Sequence, residues 1–230
     1  MLKTLIIILF LSVTTVFAQH KPFQFGIKGG ASVGWFATDA EGYSNEGADF
    51  SGSWGLVADF FLMEHYTFTT GFDVIYLNSS LSYPDFKPHE TLTVMVPGTT
   101  IRDYRTKYLE IPLSFIMTTN DIGKIRIFAQ IGIGVSFLLS AKADDNFTAD
   151  DGSIINTETV DVYDDMTFAR VSLILGTGIE IPIQKSTFIR TGIKFDNAFI
   201  NVLKGYNNVT TDIKNNGRNS FLEYYVSIIF

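Results

Sequence analysis

Residues 168–183, FARVSLILGTGIEIPI, alternate with a period of two, and the two faces have the wrong polarity for a water-soluble barrel. One register holds Ala169, Val171, Leu173, Leu175, Thr177, Ile179, Ile181 and Ile183. The other holds Phe168, Arg170, Ser172, Ile174, Gly176, Gly178, Glu180 and Pro182. A period of two marks a strand, whose successive side chains point to opposite sides of the pleat. Here the greasy face is continuous, and the charges share their face with small residues. That is the pattern of a strand with lipid outside and a polar interior.

Seven further segments repeat it. Proposed lipid-facing residues, given first, are Phe23, Phe25, Ile27, Ala31, Val33 and Trp35 against Gln24, Lys28, Gly30, Ser32 and Gly34 in 23–36. Next come Leu56, Ala58, Phe60 and Leu62 against Gly55 and Asp59, then Phe68, Phe72, Val74 and Tyr76 against Thr69, Gly71 and Asp73. Leu109, Ile111, Leu113, Phe115 and Met117 oppose Glu110, Pro112 and Ser114. The residues from Ile125 to Leu139 place Arg126, Gln130, Gly132, Gly134 and Ser136 inward. Ile189, Ile193 and Phe195 oppose Arg190, Gly192, Lys194 and Asp196; Leu222, Tyr224, Val226, Ile228 and Phe230 oppose Glu223, Tyr225 and Ser227.

The connections alternate in length. Segments 63–66, 119–124 and 184–186 are short, whereas 37–51, 78–103, 140–165 and 201–219 are long. Short periplasmic turns and long external loops are the habit of outer-membrane barrels, and this order leaves both termini on the periplasmic side. The expected fold is all-β, an eight-stranded antiparallel up-and-down transmembrane β-barrel. Pro112, unable to donate within a ladder, predicts a bulge.

Composition narrows the alternatives. Apart from the N-terminus, no apolar run approaches the roughly 18 residues of a membrane helix, so a closed barrel is the remaining way to span a bilayer. The chain has no cysteine, which removes disulfides and thiolate metal sites, and a net charge of -7 argues against nucleic acid. Lys3, an apolar stretch over 5–13 and Val16-Phe17-Ala18 predict a signal peptide over 1–18, with the barrel domain at 19–230. The destination is the cell outer membrane, with its lipid as one partner.

Tyr108-Leu109-Glu110-Ile111-Pro112, with FGIKGGASVGW at 25–35 and the glycine-rich segments 125–139 and 168–183, resembles the PorT-like outer-membrane β-barrel family of Bacteroidota. The likeness extends over nearly the whole mature chain, and the Tyr-Leu-Glu-Ile-Pro run is its most specific part. It implies a small eight-stranded barrel. The family's namesake is implicated in protein secretion by the type IX system, and most members have no assigned activity. The resemblance supplies no catalytic residue.

The expected interior polar network comprises Lys28, Asp59, Asp73, Glu110, Arg126, Arg170, Glu180, Arg190, Lys194, Asp196 and Glu223. Eight strands leave a lumen just wide enough for side chains, so these groups read as paired filling, with a polar conduit or proton path as the alternative. The acidic stretch 140–165 matches no EF-hand spacing and reads as a solvated loop rather than a calcium site. An enzyme would need a nucleophile and base near the outer rim. The candidates are His89 with Glu90 and Ser79, Ser80 and Ser82; His65 falls in a turn and His20 at the mature N-terminus. Trp35, Trp54, Tyr76, Tyr104 and Tyr224 read as interfacial belt residues.

The functional expectation is a non-enzymatic structural or interaction protein without a cofactor, accessory to protein secretion or surface assembly through its external loops. A narrow channel or small-solute binder is the second reading, and a lipid-modifying enzyme the third.

Overall fold

The computed structural model describes residues 23–88, 94–152, 154–184 and 186–230. The expected signal peptide, His20, His89 and Glu90 lie outside the described residues, as does Lys185 of the short segment 184–186. The strands are β1 Phe23–Ala37, β2 Ser44–Met63, β3 Tyr66–Pro88, β4 Met95–Thr118, β5 Arg126–Ala149, β6 Ile154–Asp161, β7 Ala169–Gln184, β8 Thr187–Ala198 and β9 Arg218–Ile229. All pairings are antiparallel. The order β4-β3-β2-β1-β9-β8-β7-β5 closes on itself through a β4–β5 pairing, giving a ring of eight strands with no free edge.

Closure brings the two ends of the chain together. Phe230 donates its backbone N–H to Phe25 and accepts one in return, and their rings meet edge-to-face with centroids 4.7 Å apart. The outward face is a belt of exposed apolar side chains, including Phe25, Ile27, Trp54, Leu56, Phe115, Ile131, Ile193 and Tyr224. Thr177 and Thr191, polar residues on this face, donate to the Phe128 and Tyr225 carbonyls and so leave no bare hydroxyl.

The long connections differ from the loops expected. Most of 78–103 is strand, because β3 and β4 stay paired from Asp73↔Glu110 out to Pro88↔Met95. Segment 140–165 is the outer half of β5 followed by β6, and 37–51 contains the start of β2. β5 changes partner along its length, pairing with β7 from Arg126 to Phe137 and with β6 from Lys142 to Thr148. Strands β2 to β6 therefore rise beyond the ring as a fin on one side of the mouth. Lipid no longer imposes a greasy face at that height, so the alternation that betrays the lower strands fades.

Two further expectations change. Tyr104 is not a belt residue: it points inward, 4% exposed, with its ring edge-to-face against Phe36. Pro112 causes no bulge. The β4–β5 ladder runs through Pro112↔Gly134 in register, and on the other side β3–β4 pairing lapses instead.

Candidate functional site: a charge-filled lumen

Inward positions alternate between charged residues and glycines for a steric reason. A Cβ on Gly30 would lie 2.7 Å from Glu223 Oε1, and one on Gly134 would lie 2.9 Å from Glu110 Oε2. The glycines make the space that long ionic side chains fill.

Those side chains form two clusters. Nearer the short turns, Arg190 Nη2 lies 2.9 Å from Asp59 and 2.8 Å from Glu180, while Arg126 lies 3.0 Å from the other Glu180 oxygen. Glu180 and Arg190 are directly opposed in the β7–β8 register. Thr69 donates to Asp59 at 2.7 Å. In the second cluster, Lys194 reaches Glu223 at 3.2 Å, Glu110 at 3.3 Å and Asp73 at 3.7 Å. Lys28 pairs with Asp73 and, at 3.4 Å, with Glu223. Arg170 pairs with Asp196 and approaches Glu110 at 3.6 Å, while its Nε donates to Asn219 at 2.7 Å. Ser136 and Ser172 donate to Glu110 and Asp196. The structure thus brings all eleven candidate residues into ion pairs. Every one except Arg126 and Lys28 is buried. Buried charges need such partners, because an unpaired one is heavily penalised.

The sequence reading foresaw fewer of the apolar groups that close the lumen. Val57, Phe188 and Ile229, with Phe61 against them, form one cluster, and Ile116, Phe128 and Tyr225 another. A larger one beneath the mouth unites Phe36, Leu77, Leu81, Tyr104, Tyr108 and Phe221 with Val162, Met166, Val202 and Leu203 from connecting segments. Isolated inward Leu or Phe carry no period of their own once the strand leaves the bilayer, so only their meeting in space reveals them.

The connections are fastened across the mouth. Tyr43 stacks on Tyr83 and donates to Asn215, and Asn207 donates to the Pro84 carbonyl. In the fin, Arg102 forms a bidentate pair with Asp145 at 2.6 and 2.7 Å, with Tyr83 and Tyr104 flanking the guanidinium. Asp145 is therefore a buried partner and not part of a solvated acidic loop. Burial pushes the Tyr104 phenol up to about 12, with the Arg102 charge opposing the rise.

Of the rim serines, Ser80 donates to Asp49 and Ser82 to Glu46, while His65 sits in the β2–β3 turn. Among the described residues, no cluster of His, Asp and Glu is placed to hold a metal ion.

A protein-family profile described as "Outer membrane protein beta-barrel domain" matches residues 17–204. No curated protein matches the chain. Among solved structures, Neisserial surface protein A is similar at TM-score 0.42 and 13% identity, covering 89% of this chain and 96% of its own. OprG from Pseudomonas aeruginosa aligns at TM-score 0.39 and 10% identity, covering 92% and 97%. Ail, the attachment invasion locus protein of Yersinia pestis, aligns at TM-score 0.38 and 11% identity, covering 90% and 98%.

Proposed function

For this chain, which belongs to the outer membrane protein beta-barrel domain family and resides in the outer membrane, we propose a non-enzymatic role as an interaction protein with a closed lumen. The observation that carries this reading is the filled interior. Two ionic clusters and three apolar ones occupy the barrel, and the cavity among Lys28, Asp73, Arg190, Lys194 and Tyr225 measures about 30 Å3. Aqueous channels belong to barrels of roughly 16–18 strands. A plugged eight-stranded ring leaves its surfaces as the places to act, and binding commonly resides on segments held by a rigid scaffold.

The fin and the fastened connections supply such a surface. Segments 38–50, 78–107, 140–168 and 199–218 carry 16 acidic and 8 basic residues, which more than accounts for the net charge of -7. A partner approaching from this side meets an acidic face, and the long connections put that side outside the cell. The sequence likeness to the PorT-like family refines the proposal to an accessory of protein secretion or surface assembly. Export through cleavage of residues 1–18 belongs to the same reading.

Two experiments test it. Mature protein covering 19–230 in a planar bilayer should show no steady conductance, and a large stable single-channel current overturns the closed lumen. Crosslinking in native membranes should capture a protein partner that is lost when the β3–β4 and β5–β6 hairpins are trimmed to tight turns. Undiminished capture with both trimmed moves the interaction to the lipid-facing wall or the periplasmic turns.

A further inference from the structure

The Tyr-Leu-Glu-Ile-Pro run ends in a residue that does not fit a regular ladder. Tyr108 and Glu110 point into the apolar and ionic fillings, and Leu109 and Ile111 face outward. Pro112 does something else. The β3–β4 pairing stops after Thr69↔Ser114 and resumes at Asp73↔Glu110 in unchanged register, which sets Gly71 opposite Pro112. Both residues keep their other ladder, Gly71↔Val57 and Pro112↔Gly134. The lapse is therefore a seam confined to these two strands, and the group it leaves open is the Gly71 carbonyl, since Thr70 and Phe72 bond to β2 and Ile111 and Leu113 to β5.

Each residue at the seam is one that weakens a ladder. Proline has no N–H to donate. Gly71 has φ +143°, and a Cβ there would stand 2.0 Å from the Leu56 carbonyl oxygen. The seam lies midway along the spanning part, between Phe68 and Phe115 on one side and Val74 and Leu109 on the other. At that depth lipid offers nothing to an open backbone group, and unpaired backbone is tolerated only where it borders protein or water.

The cavity described above reaches this place. Its wall side is Leu56, Thr70 and Pro112, and its lumen side includes Lys28, Asp73 and Lys194. At about 30 Å3 it has room for about two waters, with ammonium donors and a carboxylate acceptor to hold them. Apolar clusters fill the lumen on either side of the ionic cluster, and the cavity borders the wall at Pro112.

We propose that the Gly71–Pro112 seam is a hydrated side window in the barrel wall, a site for ordered water that donates to the Gly71 carbonyl, which Pro112 cannot serve. The same water connects the Lys28–Asp73–Lys194 cluster with the bilayer-facing surface.

The test is amide hydrogen exchange of the folded protein in lipid nanodiscs. The amide of Gly71 should exchange at least about tenfold faster than those of Ile133 and Leu173, which sit on uninterrupted ladders in the spanning region. Pro112→Val restores a donor and should slow Gly71 to the rate of the intact ladder. A spin label at Thr70 should collide with a water-soluble relaxation agent more often than one at Thr177. Exchange at Gly71 as slow as at Leu173 in the wild-type protein overturns the window, whether or not the valine variant folds. So does equal collision at the two labels.

Discussion

Removing the Arg190 guanidinium should destabilise the barrel more than removing either of its carboxylate partners, and the reason lies in what each deletion strands. Arg190 is the cation of Asp59, which is 0% exposed and keeps only the Thr69 hydroxyl once the guanidinium is gone. Glu180 fares better, because Arg126 remains 3.0 Å away and is partly open to solvent. Breaking a buried pair by deleting one partner typically costs about 3–5 kcal/mol, so Arg190→Met should fall in that range. Glu180→Gln should cost less, since Arg190 retains Asp59. Adding Asp59→Asn to Arg190→Met leaves Glu180 paired with Arg126 and no bare carboxylate. That double variant should be more stable than the sum of its single changes by roughly 0.5–3 kcal/mol. The assay is reversible urea unfolding in thin-bilayer vesicles, followed by the fluorescence of Trp35 and Trp54, with heat-modifiable migration as the independent measure of folding. Additive losses within about 0.5 kcal/mol, or an Arg190→Met variant within 1 kcal/mol of wild type, would refute the reasoning.

Other expectations follow from the same packing. Deleting Phe230 removes the reciprocal backbone bonds to Phe25 and their ring contact, so folded protein in the outer-membrane fraction should fall; wild-type levels would sink the idea. Gly30→Ala places a methyl 2.7 Å from Glu223 Oε1 and should cost about 1–3 kcal/mol, whereas Gly29→Ala, with open space around it, should be near neutral in the same urea assay. The raised Tyr104 phenol makes the fin pH-sensitive on the alkaline side. Its folded value lies above the ordinary phenol value near 10, so its contribution is complete below about pH 10 and is lost as pH rises through about 12. Protease cleavage of the mouth connections should rise across that window, and Tyr104→Phe should flatten the rise.

The acidic outer face bears on how a partner would be recognised. Arg102, Lys87 and Arg218 are already engaged by Asp145, Glu158 and Asp39, so the surplus of carboxylates there is not offset by free cations in those pairs. Binding through this face should weaken as salt rises, since exposed charges are screened within about 8 Å at physiological ionic strength.

The sequence by itself determined the ring. Within the bilayer each strand meets lipid on one face and side chains on the other, so the polarity of Phe25 against Gln24, or Leu175 against Gly176, is decided residue by residue. Alternating connection lengths then set the strand count and direction. The eleven inward charges were legible for the same local reason. Their partners were not: Arg190 and Asp59 lie 131 residues apart, and only closure and stagger of the ring bring them within hydrogen-bonding distance. Above the bilayer the contrast between lipid and lumen disappears, and with it the periodic signal. The β6 strand, the inward turn of Tyr104 and the fastening of 199–217 across the mouth were therefore decided by tertiary packing. Pro112 shows both limits at once. Its chemistry announced a fault in the wall, but which of its two neighbours would open depended on Gly71 standing opposite it on β3 and Gly134 holding on β5.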